Sequence, residues 1–168
     1  MRILKTFVSA IIFLSGVYTA SAQDIPNDNY KQGFRLGVGL SAGVPTGDSF
    51  SFGLGGDVRL QYDLSRKTSL TLTTGFTNLF SKEDYIKDYG YIPVKAGFKA
   101  FVLKNSLYIL GEAGAGFAVT NNYNDSFFLW SPGIGYANDI IDISVRYEGT
   151  NDTETGQVAL RLAYGFGL

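Results

Sequence analysis

Apolar and polar residues alternate along most of the chain after residue 32. In the first such stretch, Phe34 and Leu36 alternate with Arg35 and Gly37. Because successive side chains of a β-strand point to opposite faces, this alternation predicts strands with one apolar and one polar face. Clusters of Gly, Asn, Asp, Ser and Pro bound the runs, as turns require. The pattern predicts eight strands, over residues 33–44, 51–62, 69–80, 91–102, 107–119, 127–137, 141–149 and 157–168.

The connections between the predicted strands alternate in character. Those after odd strands are mostly longer and acidic, and those after even strands are mostly shorter. The longer connections are 45–50, 81–90, 120–126 and 150–156, and the shorter ones are 63–68, 103–106 and 138–140. Loops at one rim and tight turns at the other are typical of an up-and-down antiparallel barrel.

The start of the chain has a different pattern. Arg2 and Lys5 are basic, residues 6–17 form an apolar run, and residues 20–22 read Ala-Ser-Ala. This predicts a secretory signal peptide, since the run is shorter than the about 20 apolar residues that a membrane helix needs. We expect a signal peptide over residues 1–22, a periplasmic N-terminal segment over 23–32 and a barrel over 33–168.

The charged residues of the predicted strands share one face with most of the 21 glycines, and only Gly56 and Gly111 are placed on the apolar face. An apolar face could line the cavity of a soluble lipocalin-like barrel, or it could contact lipid around a polar lumen. Arg or Lys turned toward lipid costs about 2–4 kcal/mol at mid-depth, which favours the transmembrane barrel. We therefore expect a lumen charge network of Arg35, Asp57, Arg59, Lys95, Lys99, Glu112, Asp142, Arg146, Glu148 and Arg161.

Aromatic residues on the apolar face support the same choice. Several lie toward strand ends, where the aromatic girdles of a membrane barrel are found. They are Phe80, Trp130, Tyr136, Tyr147, Tyr164 and Phe166. One residue does not fit a regular strand: Pro132 removes a backbone donor from the sixth strand, and we expect a β-bulge there.

In its signal pattern, eight alternating segments and loop arrangement, the chain resembles the small eight-stranded outer-membrane barrels, the OmpX/OmpW-like and OmpA-transmembrane-like group. The resemblance covers nearly all of the chain after the signal and depends on pattern and topology. It implies an all-β, eight-stranded antiparallel up-and-down transmembrane β-barrel in a Gram-negative outer membrane. It further implies contact with outer-membrane lipid, insertion by the barrel-assembly machinery and a monomeric state. Members often end in an aromatic residue, whereas this alternation ends at Leu168.

Composition restricts the chemistry. The chain has no histidine and no cysteine, so the commonest general base, the commonest metal ligand and all thiol chemistry are absent. A net charge of −1 gives no basic surface for nucleic acid. We expect no catalytic residues, no metal and no cofactor.

The lumen and the loops remain as candidate sites. We expect the lumen charges to plug the barrel, because eight strands enclose little more than side chains. The longer connections contain seven acidic and two basic residues, and Tyr85, Ile86, Tyr89 and Tyr123 are the candidate contacts there for an extracellular partner. The favoured function is a non-enzymatic barrel with a structural or surface-interaction role. A narrow porin-like channel for small solutes is the alternative, and a soluble lipocalin-like carrier is the third.

Overall fold

The computed structural model describes residues 32–83, 87–103, 106–120, 125–151 and 156–168. The expected signal peptide, and all of the expected periplasmic segment except Gln32, lie outside these residues. Within the described ranges there is no helix long and apolar enough to cross a membrane.

Eight antiparallel strands form one closed barrel in which each strand pairs with its neighbours in sequence and β8 pairs with β1. The up-and-down all-β fold that the alternation predicts is thereby confirmed. The strands are β1 Gly33–Pro45, β2 Phe50–Asp63, β3 Thr68–Ser81, β4 Tyr89–Leu103, β5 Leu107–Ala118, β6 Ser126–Ala137, β7 Ile141–Thr150 and β8 Gln157–Gly167.

The predicted strand limits differ from the observed ones by one or two residues. The largest difference is at β4, which begins at Tyr89 and not at Tyr91. Gly90 reads as a turn residue in the sequence, but in the barrel it pairs with Asn78 of β3. Pairing with a long neighbour therefore extends β4 past a residue that local propensity would place in a loop.

The expected bulge at Pro132 is wrong. Pro132 pairs with Gly111 of β5, and its missing donor faces β7. There the ladder omits pairs between Trp130–Gly149 and Gly133–Arg146, yet the register is the same on both sides. The proline thus removes hydrogen bonds without inserting a residue. The register shifts lie elsewhere, in β2 between Phe50 and Phe52 and in β4 between Phe101 and Leu103.

The two faces of the barrel wall are as different as the sequence predicts. On the inner face Arg59, Lys95 and Arg161 are at most 3% exposed, whereas on the outer face Leu160 and Leu162 are more than half exposed. A soluble carrier requires the opposite arrangement, with the apolar face inside. One glycine was misplaced: Gly149 lies on the apolar face, where a Cβ would meet the Trp130 ring.

Aromatic pairs on the outer face lie near both rims. Phe52 stacks on Phe80 with ring centroids 4.5 Å apart, and Trp130 contacts Tyr147 at 5.3 Å, both toward the rim that carries the longer loops. Near the turn rim, Phe34 and Tyr62 are 4.7 Å apart. Such belts suit the two interfaces of a membrane.

Candidate functional site: the lumen and its loop-side mouth

The centre of the lumen contains nine of the ten charged residues that the sequence placed there, and we call them the ionic layer. All but Asp142, which is partly exposed, are buried. They come from strands β2, β4, β5, β7 and β8. The ionic layer consists of Asp57, Arg59, Lys95, Lys99, Glu112, Asp142, Arg146, Glu148 and Arg161.

The shortest ion pairs of the ionic layer connect strands that are not neighbours in the sheet. Arg161 of β8 donates three hydrogen bonds to Asp57 of β2. Its Nε donates to both carboxylate oxygens, at 3.0 and 2.9 Å, and its Nη2 donates to Oδ1 at 2.5 Å. Arg59 of β2 reaches Glu112 of β5, with Nη2 3.0 Å from Oε1. The first contact passes over the inner face of β1, and the second joins strands that are three places apart in the barrel.

Strand β4 supplies two lysines that reach β7. Lys95 donates to Glu148, and its Nζ lies 3.6 Å from Oε2 of Glu112. Lys99 donates to Asp142 at 2.7 Å, and its ammonium lies 3.8 Å from the centroid of the Tyr108 ring. Both lysines are 1% exposed, so each must be paired to remain charged without a large penalty.

Arg35 is the one predicted lumen charge outside this layer. It lies at the turn rim, where its Nε is 2.8 Å from Asp63 and its Nη1 is 3.7 Å from Asp139. Its side chain is 42% exposed, so water screens this pair. Asp63 was missed because it ends β2 and was assigned to a turn. Its position two residues after Gln61, on the same face as Asp57 and Arg59, was the available signal.

Neutral polar residues on the inner face complete the hydrogen bonding of the carboxylates, and the sequence analysis missed them. Thr73 donates to Glu112 at 2.7 Å, Gln157 donates to Glu148 at 2.8 Å, and Tyr108 donates to Asp142 at 2.5 Å. The alternation puts each of these on the charged face. The carboxylate that each one reaches depends on how the strands pair in the barrel. That register cannot be read from the sequence of a single strand.

Glycines give the ionic side chains the room to lie inside so narrow a barrel. A Cβ on Gly39 would be 2.9 Å from the guanidinium of Arg161. A Cβ on Gly97 would be 2.6 Å from Cγ of Glu112 and 2.8 Å from Oγ1 of Thr71. The glycines of the polar face are therefore the counterpart of its long charged residues.

Apolar side chains lie inside the barrel above and below the ionic layer. Toward the turn rim, Tyr108, Leu110 and Ala137 are buried together with Phe101 against them. Toward the loop rim lies a larger group, which we call the loop-side aromatic cluster. It consists of Phe50, Leu79, Tyr89, Tyr91, Phe127 and Leu129.

A small cavity of about 40 Å³ opens within the loop-side aromatic cluster. Tyr89, Tyr91 and Phe127 line it, with the Tyr91 and Phe127 rings edge to face at 5.4 Å. Its polar lining comes from Glu148, Thr150 and Gln157. Tyr91 donates to Glu148 at 3.2 Å, so the base of the cavity is also the top of the ionic layer.

Of the four candidate loop contacts, the structure describes only Tyr89. Tyr85, Ile86 and Tyr123 lie outside the described residues. Tyr89 is the first residue of β4 and lies on the inner face, where its ring is 6.1 Å from both Tyr91 and Phe127. The prediction of Tyr89 as a loop residue is therefore wrong, and it belongs to the mouth of the lumen.

The ionic layer is suited to a structural role, because its contacts connect the strands of the barrel. Among the described residues no group of three or more His, Cys, Asp or Glu is placed to hold a metal ion. The carboxylates of the ionic layer accept hydrogen bonds from arginines, lysines and neutral neighbours. Such ion-pair networks are common without catalysis.

The geometry defines the chain as a small eight-stranded transmembrane barrel with a filled polar interior. Known structures of this kind share its fold, although no protein-family model and no curated protein sequence matches the chain. The attachment invasion locus protein Ail of Yersinia pestis is 16% identical, with a TM-score of 0.55 over 81% of this chain and 100% of that one. The N-terminal β-barrel domain of Pseudomonas aeruginosa OprF is 12% identical, with a TM-score of 0.55 over 81% and 100%.

A designed transmembrane barrel is equally similar, at 18% identity and a TM-score of 0.55 over 81% of this chain and 98% of that chain. The fold alone thus occurs in outer-membrane proteins and in a protein designed without a natural ancestor. At these identities the similarity shows the fold alone, and the function of this chain depends on its own residues.

Proposed function

We propose that this chain is a non-enzymatic integral outer-membrane protein with a plugged lumen that acts through its loop-side surface. Its apolar outer face, with aromatic pairs near both rims, suits a bilayer. Its structural neighbour Ail is an outer-membrane protein, which supports the same location. The signal pattern of residues 1–22 fits export across the inner membrane.

The observation that carries the proposal is the filling of the lumen. Inside the barrel, ion pairs join β2 to β8, β2 to β5, and β4 to β7. Apolar clusters cover this layer toward each rim. An eight-stranded barrel has an interior just wide enough for side chains, so a filled interior leaves no continuous aqueous path.

Because the lumen is closed, we place any specific binding function at the loop-side surface. The longer connections carry Asp48, Glu83, Asp84, Asp88, Asp125, Asp152 and Glu154 against Lys82 and Lys87, an acidic balance. The cavity among Tyr89, Tyr91 and Phe127 opens at the same end. Loops and aromatic rings held on a rigid wall are typical of contact surfaces. We extend the proposal to Tyr85, Ile86 and Tyr123 as partners of Tyr89 in contacting an extracellular molecule.

The plug is tested by conductance in planar bilayers. The wild-type protein should show no steady single-channel openings. The double variant Lys95→Ala with Glu148→Ala removes one cross-barrel pair and serves as the matched comparison, since it should conduct if it retains the barrel. Reproducible openings of the wild-type protein would instead favour a narrow channel for small solutes.

Location and orientation are tested in cells. A folded barrel in the outer-membrane fraction should migrate faster on a gel when unboiled than when boiled, whereas release with the periplasm would favour a soluble carrier. An epitope inserted between residues 82 and 88 should bind antibody on intact cells. The same epitope between residues 64 and 67 should bind only after permeabilisation, and the reverse pattern would contradict a loop-side contact role.

A further inference from the structure

Arg146 is the least satisfied ion of the ionic layer. It is 4% exposed, and its nearest carboxylates are Glu148, 3.4 Å from Nε, and Asp57, 3.7 Å from Nη2. Both carboxylates have closer basic partners, since Arg161 grips Asp57 and Lys95 contacts Glu148. The Nε and Nη1 groups of Arg146 make no hydrogen bond. A buried guanidinium with unused donors is costly unless something accepts from it.

Other donors without acceptors lie next to Arg146. Ser131 is fully buried, and its hydroxyl makes no hydrogen bond. In the β6–β7 register it is two residues from Gly133, which pairs directly with Arg146. Ser144 is buried on the same face of β7, two residues before Arg146. The positions directly opposite Arg146 are Gly133 and Ala159, which carry almost no side chain.

Arg59 reaches the same region from across the barrel. Its Nη2 contacts Glu112, which pairs in register with Ser131, and its Nη1 makes no hydrogen bond. The unused acceptors here are Oε2 of Glu112, which lies 3.6 Å from the Lys95 ammonium, and the hydroxyl oxygens of Ser131 and Ser144, which can accept as well as donate. Unused donors therefore outnumber unused acceptors around Arg146.

The charges of the lumen do not balance. With Asp63 included, the described inner face has six basic and five acidic residues, an excess of one positive charge. Arg35 and Asp63 pair at the turn rim, so the excess falls within the ionic layer, which has five basic and four acidic members. An unbalanced charge surrounded by lipid is expensive, and water cannot neutralise it.

We propose that a small monovalent anion of the size of chloride occupies the space beside Arg146 as part of the plug. It would accept from Nη1 of Arg146 and from the Ser131 hydroxyl, and its charge would balance the ionic layer. Water alone would supply hydrogen bonds but no charge. Gly133 and Ala159, which pair with Arg146 in the register, carry no hydrogen-bonding side chain, so neither position supplies the missing acceptor.

The test is refolding and unfolding in matched salts. Wild-type protein is refolded from urea in sodium chloride or in sodium gluconate of equal ionic strength, because gluconate is too large for the site. Thermal unfolding is followed by gel mobility and by the fluorescence of Trp130, the single tryptophan. The midpoint should be higher in chloride by roughly 2–8 °C and should saturate with chloride concentration. The chloride NMR linewidth should show excess broadening that bromide displaces.

Variants assign the effect to the site. Arg146→Gln should abolish the difference between the two salts, whatever its own midpoint. Ser131→Ala removes one donor and should shift half-saturation to higher chloride, which keeps the test available if Arg146→Gln does not fold. Lys82→Gln changes an exposed loop cation and should leave the difference intact. Equal wild-type midpoints in both salts, a chloride effect that persists in Arg146→Gln, or an unchanged half-saturation in Ser131→Ala would overturn the proposal.

Discussion

The ionic layer and the loop-side aromatic cluster lie in the same lumen but fill it by different means. In the ionic layer long side chains from strands that are not paired with each other meet end to end, as between Arg161 and Asp57. In the aromatic cluster, rings from β2, β4 and β6 pack side by side at centroid distances of 5.4 to 6.5 Å. The first arrangement connects the wall across its interior, whereas the second covers one end and leaves a cavity.

The difference separates a structural region from a candidate binding region. Eight of the nine residues of the ionic layer are buried, so each of these charges depends on its partner. The rings at the mouth need no partner of opposite charge and can exchange a contact with each other for a contact with a ligand. A substitution in the ionic layer should therefore affect stability first, and a substitution at the mouth should affect binding first.

The largest effect is expected from breaking a pair at the centre. Glu148→Gln keeps the size of the side chain but leaves Lys95 and Arg146 without a shared carboxylate, and such a loss typically costs about 3–5 kcal/mol. Urea unfolding of the refolded protein measures it. Glu83→Gln, at an exposed loop position, is the control and should unfold with the wild-type protein. Equal stability of Glu148→Gln and the wild type would show that the ionic layer is not required.

A charge on the opposite face of the wall should cost nearly as much. Leu162 is in the middle of β8, 56% exposed on the apolar face. Leu162→Arg should destabilise the barrel in lipid by about 2–4 kcal/mol, because mid-depth lipid does not solvate a guanidinium. Leu162→Met keeps the surface apolar and should change little. If Leu162→Arg were harmless in bilayers, the outer face would not contact acyl chains.

The alternation of the sequence was sufficient to predict these two faces, the eight strands and the inward position of the nine charges of the ionic layer. It could not predict the pairs, because partners such as Asp57 and Arg161 are 104 residues apart and meet only when β8 closes on β1. The roles of Thr73 and Gln157 depend on the same closure. Tyr89 was misplaced for a related reason: pairing with β3 extends β4 into a stretch that reads as a loop.

A smaller effect on stability is expected at the mouth. Tyr89→Leu removes ring contacts with Phe50, Tyr91 and Phe127 but keeps an apolar side chain, so the loss should be about 0.5–1.5 kcal/mol. The variant should remain heat-modifiable on gels and should not conduct. Tyr136→Leu, on the lipid face, is the matched control for losing a tyrosine. A Tyr89→Leu loss as large as that of Glu148→Gln would remove the distinction between mouth and centre.

The smallest effect on stability is expected at Arg35. Like the arginines of the ionic layer it forms an ion pair, but it does so at the solvent-exposed turn rim. Its pair with Asp63 is 2.8 Å long, as short as many central contacts, but its side chain is 42% exposed. Water and salt screen such a pair, so Arg35→Gln should cost only about 0.2–1 kcal/mol. The cost should shrink further at high concentrations of sodium gluconate, whereas that of Glu148→Gln should not, because mobile ions screen an exposed pair but do not surround the side chains packed inside the barrel. Urea unfolding of both variants at low and high salt makes the comparison. Equal salt dependence would mean that water reaches the ionic layer as freely as it reaches the turn rim, and the lumen would then be hydrated throughout.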